Sequence, residues 1–383
     1  DLIFESSADI SAGSTLDASG GGKLEFQQGG TDNGTINVEN STFKIGSIYA
    51  VTGTLITNST TSLELGTSNL DLSDGMLELG GDLVLDQVLT DNQTIFKLGG
   101  DATVTRNQSF TLGGLYLDNS TFTLGSATTD LILDLGDSSD NGTVSGLASG
   151  TLATQTADLT VVGGIPSLSS GSTISSTGGT FTFVDGLSIS GSTVNLQNST
   201  LALGGIFSNT GGNLTLNGID LKLLGNLSLR SDSAVTFDSY QPNGLDLVLS
   251  DNSTGNISLG SLTLDSENIE VLGGTLSLAG GSSVGASGQV EVGEQGNLSL
   301  QGNLTVSGTL DLNEGATINL ANNAIADLSG GKLELAGSHI LDGITTDNNT
   351  TLQINSSGSV SRSGNGTSTV GNLVLSQLGS SSG

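Results

Sequence analysis

The sequence predicts an all-β protein, a parallel β-solenoid of about 19 short coils of roughly 20 residues, with almost no helix. Three observations carry this. Strand-like runs are only three to five residues long and alternate apolar with polar side chains, as in Leu63–Leu65, Leu77–Leu79 and Leu310–Leu312. Gly, Asn, Asp or Ser separates one run from the next after two to six residues. A long segment also occurs twice in strict register. Gly75–Arg106 meets Gly331–Arg362 without a gap at an offset of 256, and Leu77, Glu78, Leu79, Gly81, Leu85, Asp86, Thr90, Asp91, Asn92, Thr94, Val104 and Arg106 recur unchanged.

In chain order, residues 1–60 set the pattern with Leu2–Phe4, Leu24–Phe26, Ile36–Val38, Phe43–Ile45 and Thr54–Ile56. Gly20–Gly22, Gly29–Gly30 and Asn33–Gly34 lie between them, and Gly and Asn accept the positive φ of tight corners. Residues 61–135 continue the cadence. Residues 136–190 are poorer in strand signal and read as a weaker or loop-rich stretch. From 191 to 337 the rhythm is clearest. Nowhere do apolar residues recur at helical spacing over three turns. The strands are too short and too closely spaced for an immunoglobulin-like sandwich, which wants 8–12 residues between strands. In a solenoid, alternation puts Leu, Ile and Val inside and Ser, Thr and Asn outside. The whole of 1–378 reads as one continuous solenoid, and 379–383 as a Ser/Gly linker-like tail.

Composition narrows function. The chain has 59 Gly, 56 Ser and 45 Thr but 2 Pro, 3 Tyr, no Trp and no Cys. Without Cys there is neither a disulfide framework nor thiol catalysis. The net charge of −30 comes from 38 acids against 8 bases. Phosphate neutralisation needs Lys/Arg clusters, so no nucleic-acid partner is expected. No apolar run approaches the roughly 18 residues of a membrane span, so no membrane insertion is expected. An acidic, hydroxyl-rich surface suits an extracellular or cell-surface body. The start at Asp1 reads as a processed product or an excerpt of a longer chain.

The most frequent small motif is Ser/Thr-Asp-Asn-x-Thr, at Thr31–Thr35, Thr90–Thr94, Ser139–Thr143, Ser250–Thr254 and Thr346–Thr350, with a partial copy at Asp118–Thr121. Asp-Asn is a turn pair, so the motif reads as a recurring corner. It also contains an N-glycosylation sequon. Of 30 Asn, 18 stand in sequons: Asn33, Asn40, Asn58, Asn92, Asn107, Asn119, Asn141, Asn198, Asn213, Asn226, Asn252, Asn256, Asn297, Asn303, Asn348, Asn349, Asn355 and Asn365. A turn-then-strand grammar accounts for such an excess without sugar, and modification in an exporting host accounts for it equally.

Other candidates are thin. Asp130, Asp134, Asp137 and Asp140 form the densest acid cluster and a weak candidate calcium loop, but their spacing fits neither the EF-hand nor the nonapeptide repeat. His339 is the only His; Ser338 and Asp342 are its neighbours in sequence only, and it replaces Leu83 in the register match, so it reads as a strand residue. Arg106 and Arg362 occupy matched positions, which argues for a structural corner or an acid partner. No phosphate loop or zinc spacing occurs, and no catalytic residue or cofactor is expected.

Runs such as GGKLELAGSHILDGITTDNNTTLQI, LTLNGIDLKLLGNLSLR and LSLQGNLTVSGTLDLNEGATINL resemble the β-helical shafts of bacterial surface exoproteins, of the filamentous-haemagglutinin-like and autotransporter-passenger kinds. The resemblance is one of composition, cadence and Asn/Gly corners. It lacks those families' secretion-domain motif and outer-membrane barrel. It implies a right-handed parallel β-helix serving as an adhesin, stalk or fibre, and carries over no catalytic residue. The expectation is therefore a non-enzymatic surface protein assembling with itself through solenoid ends. The alternatives are an adhesin stalk or glycan-binding module, an ice-binding module, and a β-helix carbohydrate-active enzyme with paired carboxylates in a groove.

Overall fold

The structure, a computed structural model, describes residues 1–125, 130–136, 150–168, 170–251, 253–321, 323–363 and 367–376. Its strands run from two residues, as at Leu70–Asp71, to 19 at Asn213–Ser231, longer than the three to five expected, and they pair in parallel. Among the described residues there is no helix. The strands stack as a β-solenoid of about 17 turns, against the 19 expected. The difference lies in coil length, which runs from 18 residues between Leu70 and its partner Val88 to 30 between Phe122 and Leu152.

The chain divides into two compact units, Asp1–Thr200 with Gly212–Thr215, and Leu201–Gly211 with Leu216–Gly383. In the first unit the strands Thr35–Asn37, Thr54–Asn58, Met76–Gly80, Ile95–Leu98 and Gly114–Tyr116 lie one above the next. Their register stacks Ile36, Leu55, Leu77, Phe96 and Leu115, all buried. Alternation is the cause: one residue in two points inward, and those positions are apolar. Wider gaps are filled by aromatics. Phe26 stacks on Phe4 at 4.8 Å and lies 4.4 Å from the Tyr49 ring.

In the second unit the strands Leu247–Leu249, Asn268–Leu278, Gln289–Leu300, Thr309–Leu312 and Lys332–Ile340 bring Leu247, Ile269, Val290, Leu310 and Leu333 into one buried column. Burying each such side chain contributes roughly 1.5–3 kcal/mol. The stretch 136–190, expected to be weak, contains regular strands at Thr151–Gln155, Leu159–Val162, Thr173–Ser176 and Thr180–Phe183, paired in parallel. Their Thr-rich outer positions diluted the strand signal, while Leu152, Leu159, Val161 and Ile174 kept the inward alternation. Within the stretch, 137–149 and residue 169 lie outside the described residues, as does the tail 379–383.

The internal repeat is a repeat of structure. Gly75 and Gly331 donate their amides to Leu72 and Leu328 at 2.8 and 2.9 Å. A Cβ on either would stand 2.0 or 2.2 Å from the carbonyl oxygen of Val51 or Val306 in the previous coil, so only glycine lets the coils approach. Leu85 and Leu341 donate to the carbonyls of Thr105 and Ser361, both at 2.9 Å.

Truncating the inward column should be costly. Leu333→Ala is expected to lower stability by about 2–5 kcal/mol, whereas Thr305→Ala on the outer face should change it by under about 0.5 kcal/mol. Urea denaturation of both variants checks this, and equal effects would contradict the inward assignment of Leu333.

Candidate functional site

A solenoid coil satisfies its strands through its neighbours, but its corners carry backbone groups that the ladders do not reach. The polar residues singled out in the sequence are mostly spent there. In Thr90–Thr94, Asp91 Oδ1 accepts the amides of Gln93 and Thr94, each at 3.0 Å. The Thr94 hydroxyl, fully buried, donates to the Leu72 carbonyl of the preceding coil at 3.0 Å. In Thr346–Thr350, Asp347 Oδ1 accepts the Asn349 amide at 2.9 Å and buried Thr350 donates to the Leu328 carbonyl at 2.8 Å. Thr61 does the same for Val38 at 2.9 Å, with Asn58 in the Asp position.

Not every copy of the motif is this corner. At Ser250–Thr254 it is Ser253, one residue early, whose hydroxyl donates to the Ser231 carbonyl at 3.1 Å. At Thr31–Thr35, Asp32 turns into the core. Its Oδ1 accepts the Gly34 amide at 2.8 Å, while its Oδ2 and the nearby buried Tyr49 hydroxyl have no partner. Burial pushes the Asp32 carboxyl above its ordinary pKa. The copy at Ser139–Thr143 lies outside the described residues.

Carboxylates supply the complementary half of the corner chemistry. Asp82 accepts the Thr103 amide at 2.7 Å, Asp101 that of Thr121 at 2.7 Å, and Asp246 that of Asn268 at 2.8 Å. Asp86 accepts the Asn107 amide at 2.8 Å, and its repeat counterpart Asp342 that of Ser363 at 2.9 Å. Each donor sits 20–22 residues on, one coil further. Hydrogen bonding to Ser363 holds the Asp342 carboxyl below the ordinary carboxylate range, as Ser329 does for Asp327.

The remaining candidates resolve as follows. Asp130 and Asp134 stand at opposite ends of the strand Leu131–Asp134, about 13 Å apart at 3.3 Å per residue. Asp130 accepts from the Ser109 hydroxyl and Asp134 from the Gly136 amide. They do not converge on one ion, and Asp137 and Asp140 lie outside the described residues. Among the described residues no group of three or more His, Asp or Glu is arranged to hold a metal. His339 is buried, with Nε2 2.7 Å from the Ala336 carbonyl oxygen. Ser338 bonds to Ser359 and Asp342 to Ser363, so no triad forms. Arg106 is buried beneath the corner and lies over the Phe110 ring at 5.6 Å; burial lowers its pKa, and the charge of Asp86 opposes that. Arg362 reaches the Ile344 carbonyl at 2.5 Å.

Of the sequon asparagines, Asn141, Asn252 and Asn365 lie outside the described residues; none of the others is buried. Asn40, Asn119 and Asn198 adopt positive φ of 59°, 64° and 48°, as corner residues do. Asn58 Nδ2 donates to Asn40 Oδ1 at 3.1 Å, and Asn297 Nδ2 to Thr275 Oγ1 at 3.1 Å, so several side-chain amides bridge coils.

One feature escaped the linear sequence. Glu270, Glu291, Asp311 and Glu334 stand in register on four successive coils, at about 4.8 Å per step. Asn313 donates to Glu291 at 2.9 Å, Gln353 to Glu334 at 3.2 Å, and Lys332 pairs with Glu334. Burial, with Glu334 and Glu291 on either side, pushes the Asp311 carboxyl up from 3.8 to about 6. Compared with family models, curated proteins and solved structures, the chain matches none.

Two measurements test this chemistry. Thr350→Val removes one of the two donors on the Leu328 carbonyl, which keeps the Gly331 amide, and should cost about 0.5–1.5 kcal/mol, with Thr350→Ser recovering most of it; denaturant midpoints decide. Asp311 binds its proton more tightly folded than unfolded. Its contribution to stability is therefore full below pH 3.8 and is lost as pH rises through about 6. Asp311→Asn should then raise Tm at about pH 7.5 and leave it unchanged at about pH 3.5, close to the ordinary Asp pKa.

Proposed function

We propose that this chain is a non-enzymatic structural protein of the cell exterior, a β-solenoid subunit of a surface fibre. The observation that carries the reading is the commitment of its polar side chains. Carboxylates and hydroxyls at the corners are bonded to a neighbouring coil, the next at Asp82, Asp86 and Asp342 and the preceding at Thr94 and Thr350, so they serve stacking. Continuous parallel ladders resist bending and extension because every coil is held by the backbone of its neighbours. The stylistic resemblance to β-helical surface exoproteins supports the same reading.

Assembly would run through coil edges. The strand Leu2–Phe4 pairs only with Lys23–Phe26 among the described strands, and Asn372–Ser376 only with Thr351–Ser361. Leu2 and Ile3 are exposed at one margin, Leu373 and Leu375 at the other. A strand edge with exposed apolar side chains is a template for another strand. Stacking of a second copy on these edges propagates head to tail, the heterologous contact that yields filaments. Sugars on the exposed sequon asparagines would leave the ladders intact, because the corner bonds of Thr94 and Thr350 lie inside.

Electron microscopy with mass photometry over a range of concentrations tests the fibre. Filaments or a ladder of oligomers that collapse to monomers in Leu373→Lys/Leu375→Lys are expected. Monomers at every concentration in the parent chain would overturn assembly. Intact mass in excess of 38.2 kDa per subunit, removed by an N-glycosidase, is the expected sign of glycosylation.

A further inference from the structure

The second unit carries a groove of about 700 Å3 on its outer surface, within the range of ligand sites. Register explains why it is there. The strands Val235–Phe237, Asn256–Leu259, Asn268–Leu278 and Gln289–Leu300 align Thr236, Ser258, Ser277 and Ser299 in one outward column. The next residue of each coil, just past the paired segment, aligns Asp238, Gly260, Ala279 and Gln301 in a second column. In that column the two middle members are small and the two outer ones long. Gly260 and Ala279 make a floor, and Asp238 and Gln301 stand at its two ends. The floor cannot fill at Gly260, where a Cβ would lie 1.8 Å from the Asp238 carbonyl oxygen.

The lining has a definite chemistry. Ser277 is buried and donates to Asn256 Oδ1 at 3.0 Å, and Gln301 Nε2 donates to Ser299 at 2.9 Å. These bonds fix the two amides and leave Asn256 Nδ2 and Gln301 Oε1 free. Among the described residues the hydroxyls of Thr236 and Ser258 and the Asp238 carboxylate also have no partner. Free acceptors and donors thus stand on the coils of Asp238, Asn256 and Gln301, which step by about 4.8 Å, with the small Ala279 on the coil between the last two. No Lys, Arg or His lines the groove, so nothing there neutralises a phosphate, sulfate or uronate. The apolar lining beneath, Phe237 and Leu259, is buried and offers little surface to an apolar ligand. A single carboxylate lines the groove, whereas glycoside hydrolysis uses two.

We propose that this groove binds a neutral saccharide chain laid along the coil axis, held by Asp238, Asn256, Thr236, Ser258 and Gln301 and not cleaved. Hydroxyl groups of a sugar both donate and accept, which is what this mixed lining requires; a cation would use only Asp238. The assignment is independent of filament assembly, since no residue of the coil edges enters it, and it requires the sequon residue Asn256 to carry no sugar.

The test is a microarray of linear oligosaccharides (gluco-, manno-, galacto- and xylo-series, with uronate, sulfated and glucosamine chains beside them), followed by titration calorimetry on the chains retained. A neutral series should bind, Asp238→Ala and Gln301→Ala should each weaken it several-fold, and Ala279→Leu, which fills the floor from a surface position, should weaken it at least tenfold with an unchanged melting curve. Failure of every neutral chain to bind overturns the proposal. So does retention of acidic or glucosamine chains alone, or equal binding by Ala279→Leu. If Ala279→Leu melts early, the two alanine variants decide by the same criterion.

Discussion

The structure depends on one constraint: no coil can satisfy its backbone alone. Strand segments exchange hydrogen bonds with the coils before and after them, and this ladder fixes the register that stacks Leu on Leu inside. The ladder fails at every corner, where the chain bends away from its neighbours. An N–H or C=O left unpaired there costs as much as several methyl groups of burial recover. The side chains at the corners follow from that deficit. Carboxylates of Asp82, Asp86, Asp101 and Asp342 take amide hydrogens, and hydroxyls of Thr61, Thr94 and Thr350 give hydrogens to carbonyls.

The same deficit explains the charge. An ionised carboxylate only accepts, and an ammonium or guanidinium only donates. Thr and Ser already supply a neutral second donor to the corner carbonyls of Val38, Leu72 and Leu328, without the desolvation cost of a buried cation. Free amides need acceptors, and Asp is short enough to reach one coil away. Acids therefore accumulate while bases do not, and a net charge of −30 results without any cationic partner being required. Three of the five lysines do the opposite duty within the first unit. Lys23 and Lys44 both pair with Glu25, at 2.5 and 3.1 Å, and Lys97 pairs with Glu78 at 3.1 Å; Lys44 and Lys97 each stand in register with their glutamate on the next coil.

What could be read in the sequence follows from how far each interaction reaches along the chain. Inward alternation is local, so Leu77–Leu79 and Leu310–Leu312 were legible as strands. The Asp-Asn-x-Thr corner closes within four residues and was legible too, although only the structure shows that its Thr hydroxyl serves the previous coil. The repeat at an offset of 256 was legible because both copies keep every coil length. Columns were not. Glu291 meets Asp311 after 20 residues and Asp311 meets Glu334 after 23, and no fixed period lines them up on paper. The buried Asp32 was missed for a related reason: its motif is the same as at Asp91, but Thr35 gives its amide to Ser14 and continues into a strand, so the carboxylate turns inward.

Variable coil length also shows where a chemical surface can be placed. A coil answers only to its neighbours, so a change in one column perturbs two steps of the ladder and no more. Substituting small residues for long ones in a single column, as Gly260 and Ala279 stand between Asp238 and Gln301, opens a groove while the inward stack of Ile257, Leu276 and Leu298 stays complete. Stability is held by the inside of each coil and recognition by its outside, and the pleat that alternates them keeps the two apart. A groove that spans several coils is then selected column by column, from residues about twenty apart in sequence.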